Sequence, residues 1–308
     1  MESIKGKVIL VTGANSGIGF AVAHACIVAE AARVIVAGRS AERIDAAVAK
    51  LGPRAVGEVV DQASFASIDS FIARARKAYP VIDVLFDNAG IANPPHAFTP
   101  EGFQTTLGTN TIGCAYLTYG LLPQIIASPT GRIVITSSWY AAECEPRAFE
   151  ARLQDVGGRR DTDSSMPLQY NQSKALQTMW AEALQMKLRD TPSSAHVLVA
   201  SANPGAVATS VFDVDKTQPT CFMWFVRNVA SNLICVSSEK GAMPLLACAT
   251  SPELAKNPGA MFGAAGPSNS GSKMQLFKLP KKLFTPSNRD AAFAAINAAI
   301  VSTGRKAL

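Results

Sequence analysis

A tyrosine and a lysine four residues apart have the spacing in this sequence that most directly suggests chemistry. Tyr170 and Lys174 lie in the segment Tyr-Asn-Gln-Ser-Lys, and residues i and i+4 of a helix share one face. A neighbouring ammonium favours the phenolate and lowers the pKa of a tyrosine from its usual value of about 10. Such a phenol could protonate a developing alkoxide near neutral pH. Alone, a tyrosine and lysine pair on a helix is usually exposed and without chemistry.

Hydroxyl and amide side chains elsewhere could complete a site around this pair. Ser137 and Ser138 end the apolar run that begins at Arg132. Ligands of an open α/β sheet bind beyond the carboxyl ends of its strands, where hydroxyls can donate to a substrate carbonyl oxygen. Asn110 falls inside a helical pattern, and a polar residue that faces a sheet there needs partners and commonly holds water.

A glycine-rich turn follows the first apolar run. Residues 12–19 read Thr-Gly-Ala-Asn-Ser-Gly-Ile-Gly. Each glycine removes a Cβ where the chain turns sharply or where a diphosphate must approach the backbone. The helix that begins near Gly17 points its N–H groups at that diphosphate. The spacing differs from G-x-G-x-x-G, so the prediction depends on the position at the first strand-to-helix junction; a tight turn without a ligand is the alternative.

The second apolar run ends in a basic residue. About twenty residues past the turn, sites that prefer NAD carry Asp or Glu for the ribose 2′-hydroxyl, whereas this chain has Arg39. A guanidinium offers a fork of donors to a 2′-phosphate, which predicts NADP(H); a surface arginine is the alternative. Ser40 and Arg43 could assist. Asp61 could accept from the adenine amino group or cap the helix that follows it.

Strands and helices alternate around these residues. Apolar runs predict strands over 7–12, 33–37, 54–60, 81–86, 131–136 and 196–200, and helical spacing predicts helices over 18–32, 41–51, 68–78, 103–126 and 167–189. This order favours an α/β fold, a single-domain doubly wound parallel sheet with helices on both faces. Residues 206–308 would add a small C-terminal substrate cap, a strand near 260–262 and a helix over 289–301.

Composition excludes several classes of protein. Hydrophobic residues make up 48% and charged residues 17% of the 308 residues, which excludes a disordered chain. The net charge of +6 is spread along the chain, so nucleic-acid binding has no support beyond the charge itself. The cysteines form no C-x-x-C pair, which predicts buried thiols and no metal. The first residues do not have the pattern of a signal peptide, and no apolar stretch of the sequence is long enough to span a membrane. We therefore expect a soluble, cytoplasmic protein.

At this point the chain resembles the short-chain dehydrogenase/reductase family. The resemblance covers residues 1 to about 210 and rests on Thr-Gly-x3-Gly-x-Gly, Asn-Ala-Gly at 88–90, Asn110, the serine after the fifth strand, Tyr-x3-Lys and Pro-Gly at 204–205. It implies that Ser138, rather than Ser137, positions the carbonyl and that Tyr170 is the acid/base. It implies further that Lys174 binds the nicotinamide ribose and lowers the Tyr170 pKa, and that Asn110 holds a water in a proton relay.

The same resemblance implies a Rossmann-type domain that spans the whole chain. Residues 1–135 would bind the cofactor, and residues 136–308 would carry catalysis and the substrate site. The catalytic residues would be Asn110, Ser138, Tyr170 and Lys174. The cofactor-binding residues would be Gly13, Asn15, Ser16, Gly17, Ile18, Gly19, Arg39, Asp61, Asn88, Ala89, Gly90, Tyr170, Lys174, Pro204, Gly205, Val207 and Thr209.

Two departures from the family pattern stand out. Asp87 occupies a position where the family commonly has Asn, and it could disturb a hydrogen bond of the sheet. The segment between Ser138 and Tyr170 is also long. Together with Glu-Gly-Phe at 101–103 and Ser-Lys at 173–174, this length resembles the branch of retinol dehydrogenases and the WW-domain oxidoreductase. We expect no membrane anchor in this chain, so retinoid specificity is not carried over.

These residues predict an NADP(H)-dependent carbonyl reductase that transfers a hydride between nicotinamide and a lipophilic ketone or secondary alcohol. The alternative is a catalytically silent NADP(H)-binding scaffold or redox sensor, although such a protein would be free to lose its catalytic residues. The apolar run 221–236 could be a pocket wall, a contact with a second copy or a membrane surface, or ordinary core. Trp139 and Tyr140 could line the same pocket. Homo-oligomerisation stays open.

Overall fold

A computed structural model describes residues 2–92, 97–159, 166–207, 236–263 and 275–308. Its strands are β1 (Val8–Thr12), β2 (Arg33–Gly38), β3 (Ala55–Val59), β4 (Val84–Asp87), β5 (Arg132–Thr136), β6 (Leu198–Asn203) and β7 (Met261–Gly263). Its α-helices are α1 (Gly17–Val28), α2 (Ala41–Leu51), α3 (Phe65–Ala78), α4 (Thr105–Leu107), α5 (Cys114–Ile126), α6 (Pro146–Leu153), α7 (Met166–Arg189), α8 (Ser238–Thr250), α9 (Glu253–Lys256) and α10 (Pro286–Val301).

The strands form one parallel sheet of seven in the order β3-β2-β1-β4-β5-β6-β7. The chain builds outward from β1 through β2 to β3 and then returns to place β4 on the other side of β1. The strand order therefore reverses between β1 and β4, which is where an open α/β sheet binds its ligand. The predicted doubly wound α/β fold is confirmed.

Alternate residues of each strand pack into opposite layers because the side chains of a strand point alternately to its two faces. Leu10, Leu85 and Ile133 belong to a core with α3, α5, α7 and α10. Ile9, Val84 and Val134 belong to a second core with α1, α2 and α8. Because both faces are covered, the strands read as continuous apolar runs in the sequence.

Two predicted elements differ from the observed ones in informative ways. The helix expected over 103–126 begins at Thr105, where the Gln104 side chain accepts from the N–H groups of Thr106 and Leu107. A π-helical segment, Gly108–Gly113, then joins α4 to α5. Strand β6 runs three residues further than expected, through buried Ser201 and Asn203, because it pairs with both β5 and β7.

Other features of the fold agree with the sequence or add to it. Helices α6, α8 and α9 were not expected, and α10 begins at Pro286, before the predicted 289. The thiols of Cys26, Cys114, Cys144 and Cys248 are free and buried, as predicted. Within the described ranges, no helix is both long and apolar enough to cross a membrane. The predicted cap segment 221–236 lies outside the described residues, except for Val236.

Candidate active site

The glycine-rich turn after β1 is held against the end of β4 by one threonine. Thr12 is fully buried, and its Oγ1 accepts from the backbone N–H groups of Asn88, at 2.9 Å, and Ala89, at 2.8 Å. The Asn88 side chain donates back to the Thr12 carbonyl at 2.9 Å. These bonds join the turn to the Asn-Ala-Gly segment at the point where the strand order reverses.

The backbone of this turn fits a diphosphate. Gly13 and Gly17 have left-handed φ angles of +64° and +55°, which glycine adopts without strain. A Cβ on Gly19 would lie 2.4 Å from the Gly13 carbonyl oxygen and 2.6 Å from Asn88 Nδ2. The Ser16 side chain makes no capping hydrogen bond to α1 among the described residues, which leaves the first N–H groups of α1 for an anion.

Arg39 is exposed directly after β2, beside the glycine-rich turn. A Cβ on Gly38 would meet Asn15 Oδ1 at 3.1 Å, which brings the end of β2 against the turn. Arg43 and Lys50 line a cavity of about 300 Å³ together with Asn15, Ser16 and Gly17. Basic side chains thus lie at the edge of the turn where Arg39 was expected to contact a 2′-phosphate.

Two residues expected to assist the cofactor already have structural roles. Ser40 Oγ accepts from the Arg43 N–H at 3.4 Å and caps α2. Asp61 Oδ1 accepts from the Ala63 N–H at 2.9 Å. The residue that caps α3 is Ser64, so the alternative role of Asp61 as a helix cap is wrong. Asp61 shapes the turn before that helix instead.

Ser138 and Tyr170 form the centre of the candidate site. Ser138 follows β5, Tyr170 lies on α7, and their side chains are hydrogen bonded; their residues are 8% and 9% exposed. Burial raises the pKa of Tyr170 to about 12, and the bond with Ser138 opposes that shift. Ser137 turns the other way, where its Oγ lies 2.6 Å from Thr178 Oγ1. Ser138 is therefore the serine that reaches the tyrosine.

Lys174 lies one helical turn from Tyr170 but bonds elsewhere. Its Nζ donates to the Thr136 carbonyl at 2.7 Å and to Gln177 Oε1 at 3.0 Å, and it lies 5.8 Å from the centre of the Tyr170 ring. Burial raises the pKa of Tyr170 in this arrangement, whereas the sequence predicted that Lys174 would lower it. Burial also lowers the pKa of Lys174 to about 8.

Asn110 is fully buried in the π-helical segment and acts as a clamp. Its Oδ1 accepts from the Ile91 N–H at 2.8 Å, and its Nδ2 donates to the Ile91 carbonyl at 2.8 Å and to Ser173 Oγ at 3.1 Å. Both N–H donors of the side chain are therefore used by protein groups. The side chain thus joins the loop after β4 to α7, and its role in holding a relay water stays a prediction.

Asp87 does not disturb the sheet. It pairs in register with Ile135 of β5, so β4 continues through it. Its carboxyl is fully buried and accepts from Thr12 Oγ1 at 3.0 Å and from Gln62 Nε2 at 2.7 Å. The concern raised by the sequence is therefore wrong, because neighbouring side chains supply the donors that a buried carboxyl needs.

Asn203, the last residue of β6, makes side-chain contacts that the sequence did not indicate. Its buried Oδ1 accepts from the Trp139 N–H at 3.1 Å and from the Gly205 N–H at 3.2 Å. This side chain joins the loop that follows Ser138 to the Pro-Gly turn, where Gly205 has a φ of +77°. Its position before Pro-Gly at a strand end was the available signal. Val207 is buried beyond the turn, and Thr209 lies outside the described residues.

Aromatic rings flank the catalytic pair. The rings of Trp139 and Tyr140, both partly exposed, stack with centroids 4.0 Å apart. Tyr140 meets the Tyr170 ring edge-on at 5.7 Å and 76°. The surface next to the Tyr170 phenol is therefore aromatic, and the role of these two residues in lining a substrate pocket stays a prediction.

Comparisons with known proteins agree with this geometry. The model of the short chain dehydrogenase family matches residues 7–148. Dehydrogenase/reductase SDR family member 13 of Homo sapiens is 33% identical over 69% of this chain, and Retinol dehydrogenase 14 of Mus musculus is 31% identical over 67%. The matches cover 54% and 63% of those two relatives, respectively. Retinol dehydrogenase 13 of Mus musculus is 28% identical over 93% of this chain and 84% of its own length.

Solved structures share the fold. A putative uncharacterized protein from Mycobacterium Paratuberculosis superposes with a TM-score of 0.75 at 24% identity, over 99% of this chain and 96% of its own. The 3-ketoacyl-(acyl-carrier-protein) reductase from Brucella melitensis, solved with NADH, superposes with a TM-score of 0.61 at 21% identity. The superposition covers 84% of this chain and 96% of the reductase. From the motifs, the sheet order and these relatives together, the chain belongs to the short-chain dehydrogenase/reductase family of oxidoreductases and is related to retinol dehydrogenases.

Proposed function

We propose that this chain is an NADP(H)-dependent carbonyl reductase that acts on a lipophilic ketone or, in reverse, on a secondary alcohol. The observation that carries the proposal is the buried Ser138–Tyr170 pair at the edge of the sheet where ligands of this fold bind. Residues 1–135 supply the cofactor site in this proposal, and residues 136–308 supply catalysis and the substrate pocket.

The side chains of the site have distinct roles in this reaction. The nicotinamide, when bound, supplies the hydride or accepts it. The hydroxyls of Ser138 and Tyr170 donate hydrogen bonds to the carbonyl oxygen and favour the charge that develops there. Tyr170 then gives its proton to that oxygen, and Lys174 binds the ribose. Asn110 holds the loop after β4 against α7, which fixes the position of that loop beside Tyr170 and Lys174.

The pKa of Tyr170 keeps its side chain in the protonated form that reduction requires. Because burial raises it to about 12, the side chain is a phenol over the whole neutral range and carries the proton that a ketone needs. An alkoxide is far more basic than a phenolate, so this proton transfer is favourable without any lowering of the pKa.

The preference for NADP(H) rests on the charges around the glycine-rich turn. Arg39 stands exposed at the end of β2, where an acid would favour the free ribose 2′-hydroxyl. Arg43 and Lys50 line the adjoining cavity. A 2′-phosphate would enter this basic environment and could accept charge-assisted hydrogen bonds from Arg39.

The test is consumption of NADPH in the presence of steroid, quinone, polyketide and retinal carbonyls, with NADH in parallel. We expect turnover with at least one lipophilic carbonyl and a preference for NADPH. Absence of turnover together with tight NADPH binding would support the silent scaffold. A preference for NADH would contradict the assignment of Arg39.

Replacing Tyr140 with leucine is expected to change selectivity more than overall rate. Loss of an aromatic pair costs about 0.5–1.5 kcal/mol, so kcat/KM for aryl ketones should fall roughly threefold to tenfold relative to alkyl ketones. Tyr140→Phe keeps the ring and should keep the ratio. An equal fall for aryl and alkyl ketones in Tyr140→Leu would show that Tyr140 acts only through its packing on Tyr170.

A further inference from the structure

The buried carboxyl of Asp87 accepts hydrogen bonds from several side chains that take no part in the pairing of the strands. Its Oδ1 accepts from Thr12 and Gln62, its Oδ2 accepts from Thr118 Oγ1 at 3.4 Å, and the Cys114 thiol donates a further bond. The Thr12 oxygen already accepts from two backbone N–H groups, so its one hydrogen points to Asp87. Burial raises the pKa of Asp87, and these donors oppose that shift by favouring the carboxylate.

A chain of hydrogen bonds runs from this carboxylate to Lys174. Cys114 contacts Asp87 and accepts from Gln177 Nε2 at 3.3 Å. Because Nε2 of Gln177 faces the sulfur, its Oε1 faces Lys174 Nζ at 3.0 Å. All four residues are buried to 3% exposure or less. The order Asp87, Cys114, Gln177, Lys174 thus joins a strand end and two helices in a path that neither motif spacing nor catalysis by itself requires.

We propose that Asp87 is a positioning residue for Lys174, which it holds in orientation through Cys114 and Gln177 and keeps cationic by its own charge. The proposal rests on the proposed function in one respect, the role of Lys174 in binding the cofactor. Lys174 is buried, and a buried ammonium is costly unless it is paired. The Thr136 carbonyl and Gln177 supply dipoles only, so the compensating charge comes from Asp87.

The groups that face the ammonium make the sign of the effect clear. They are Tyr170 on the same helix, Cys114 on α5 and Asp87 at the end of β4. Burial lowers the pKa of Lys174 to about 8, and the charges assigned to Cys114 and Asp87 oppose that shift. Because burial also raises the pKa of the Cys114 thiol and keeps it neutral, Asp87 is the anion that acts on Lys174. A cation whose pKa is already low loses its charge at a still lower pH when the anion is removed.

The test is Asp87→Asn, which keeps the shape and the oxygen that accepts from Thr12 and Gln62. The reactivity of the Lys174 amine towards trace acetic anhydride is followed from pH 6 to 10 by mass spectrometry of the full-length protein. We expect the pH midpoint of Lys174 labelling to fall by about one pH unit or more. The pKa that describes the alkaline limb of the kcat/KM profile should fall by a similar amount. An unchanged midpoint would overturn the proposal.

Two further variants separate this effect from general damage. Asp83→Asn alters the other end of β4, where the carboxyl accepts from Val8 N–H and Ser128 Oγ, and should leave the midpoint unchanged. Gln177→Leu removes the hydrogen bonds that join Cys114 to Lys174 and should also lower the midpoint of Lys174 labelling. This second variant keeps the test available if Asp87→Asn does not fold. An unchanged midpoint in Gln177→Leu would overturn the proposed role of the path through Cys114 and Gln177. Labelling needs no turnover, so an inactive wild-type chain would refute the proposed function alone.

Discussion

Tyr170→Phe is expected to lower kcat by roughly 10²–10⁴-fold, the usual contribution of a general acid. The substitution removes one oxygen and leaves the ring that packs edge-on against Tyr140. The glycine-rich turn and Lys174 are unchanged, so the affinity for NADPH should stay within about twofold, well below the 1.4 kcal/mol that a tenfold change requires. Turnover with the best carbonyl of the screen and a fluorescence titration with NADPH measure the two quantities.

A second tyrosine provides the matched control. Tyr79 is 7% exposed, and its hydroxyl donates to Glu58 Oε1 at 3.1 Å, at the β3 edge of the sheet. Tyr79→Phe also loses a hydroxyl and one hydrogen bond, and should leave kcat unchanged. If Tyr170→Phe kept most of its activity, another group would be the proton donor. If both variants lost activity equally, the effect would be one of stability.

Arg39→Asp is expected to reverse the cofactor preference. The change removes a charge-assisted contact worth about 1.5–3 kcal/mol, so kcat/KM with NADPH should fall roughly tenfold to a hundredfold. The new carboxylate would repel a 2′-phosphate but could accept from a 2′-hydroxyl, which should improve the reaction with NADH. The ratio of kcat/KM for the two cofactors, measured with one ketone, gives the answer.

The control for this variant lies on the same strand. Arg33 is exposed at the start of β2, and Arg39 is exposed just past its end. Arg33→Asp changes the net charge of the protein by the same amount but at the opposite end of β2. It should leave the ratio of kcat/KM for the two cofactors unchanged. An unchanged ratio in Arg39→Asp would place the ribose away from that side chain. A ratio that shifts in both variants would reflect long-range charge alone.

Much of the fold could be predicted from the sequence because its signals are local. Fully apolar strands alternate with helical periodicity, and glycines mark the first turn; together they require a parallel sheet with covered faces. The spacing of Tyr170 and Lys174 likewise placed both on one helix, α7. The ends of strands were harder to predict where they are polar. Ser201 and Asn203 in β6 interrupt the apolar run although both are buried.

Partners in space were decided by the tertiary structure alone. The sequence brought Ser138 and Tyr170 together only through a family resemblance, whereas the fold brings them into contact from β5 and α7. It also shows that the Asn110 side chain joins Ile91 to Ser173, which are contacts that the sequence did not indicate. Local spacing shows which residues share a helix face, but it does not show what faces them across the sheet.

The protonation states required the tertiary structure most of all. From the sequence, Lys174 was expected to lower the pKa of Tyr170; in the structure burial raises it to about 12 and lowers that of Lys174 to about 8. The sequence determined which groups could titrate and on which elements they lie. Only packing set their pKa values, because the cost of a buried charge depends on every dipole and counter-charge that the fold places around it.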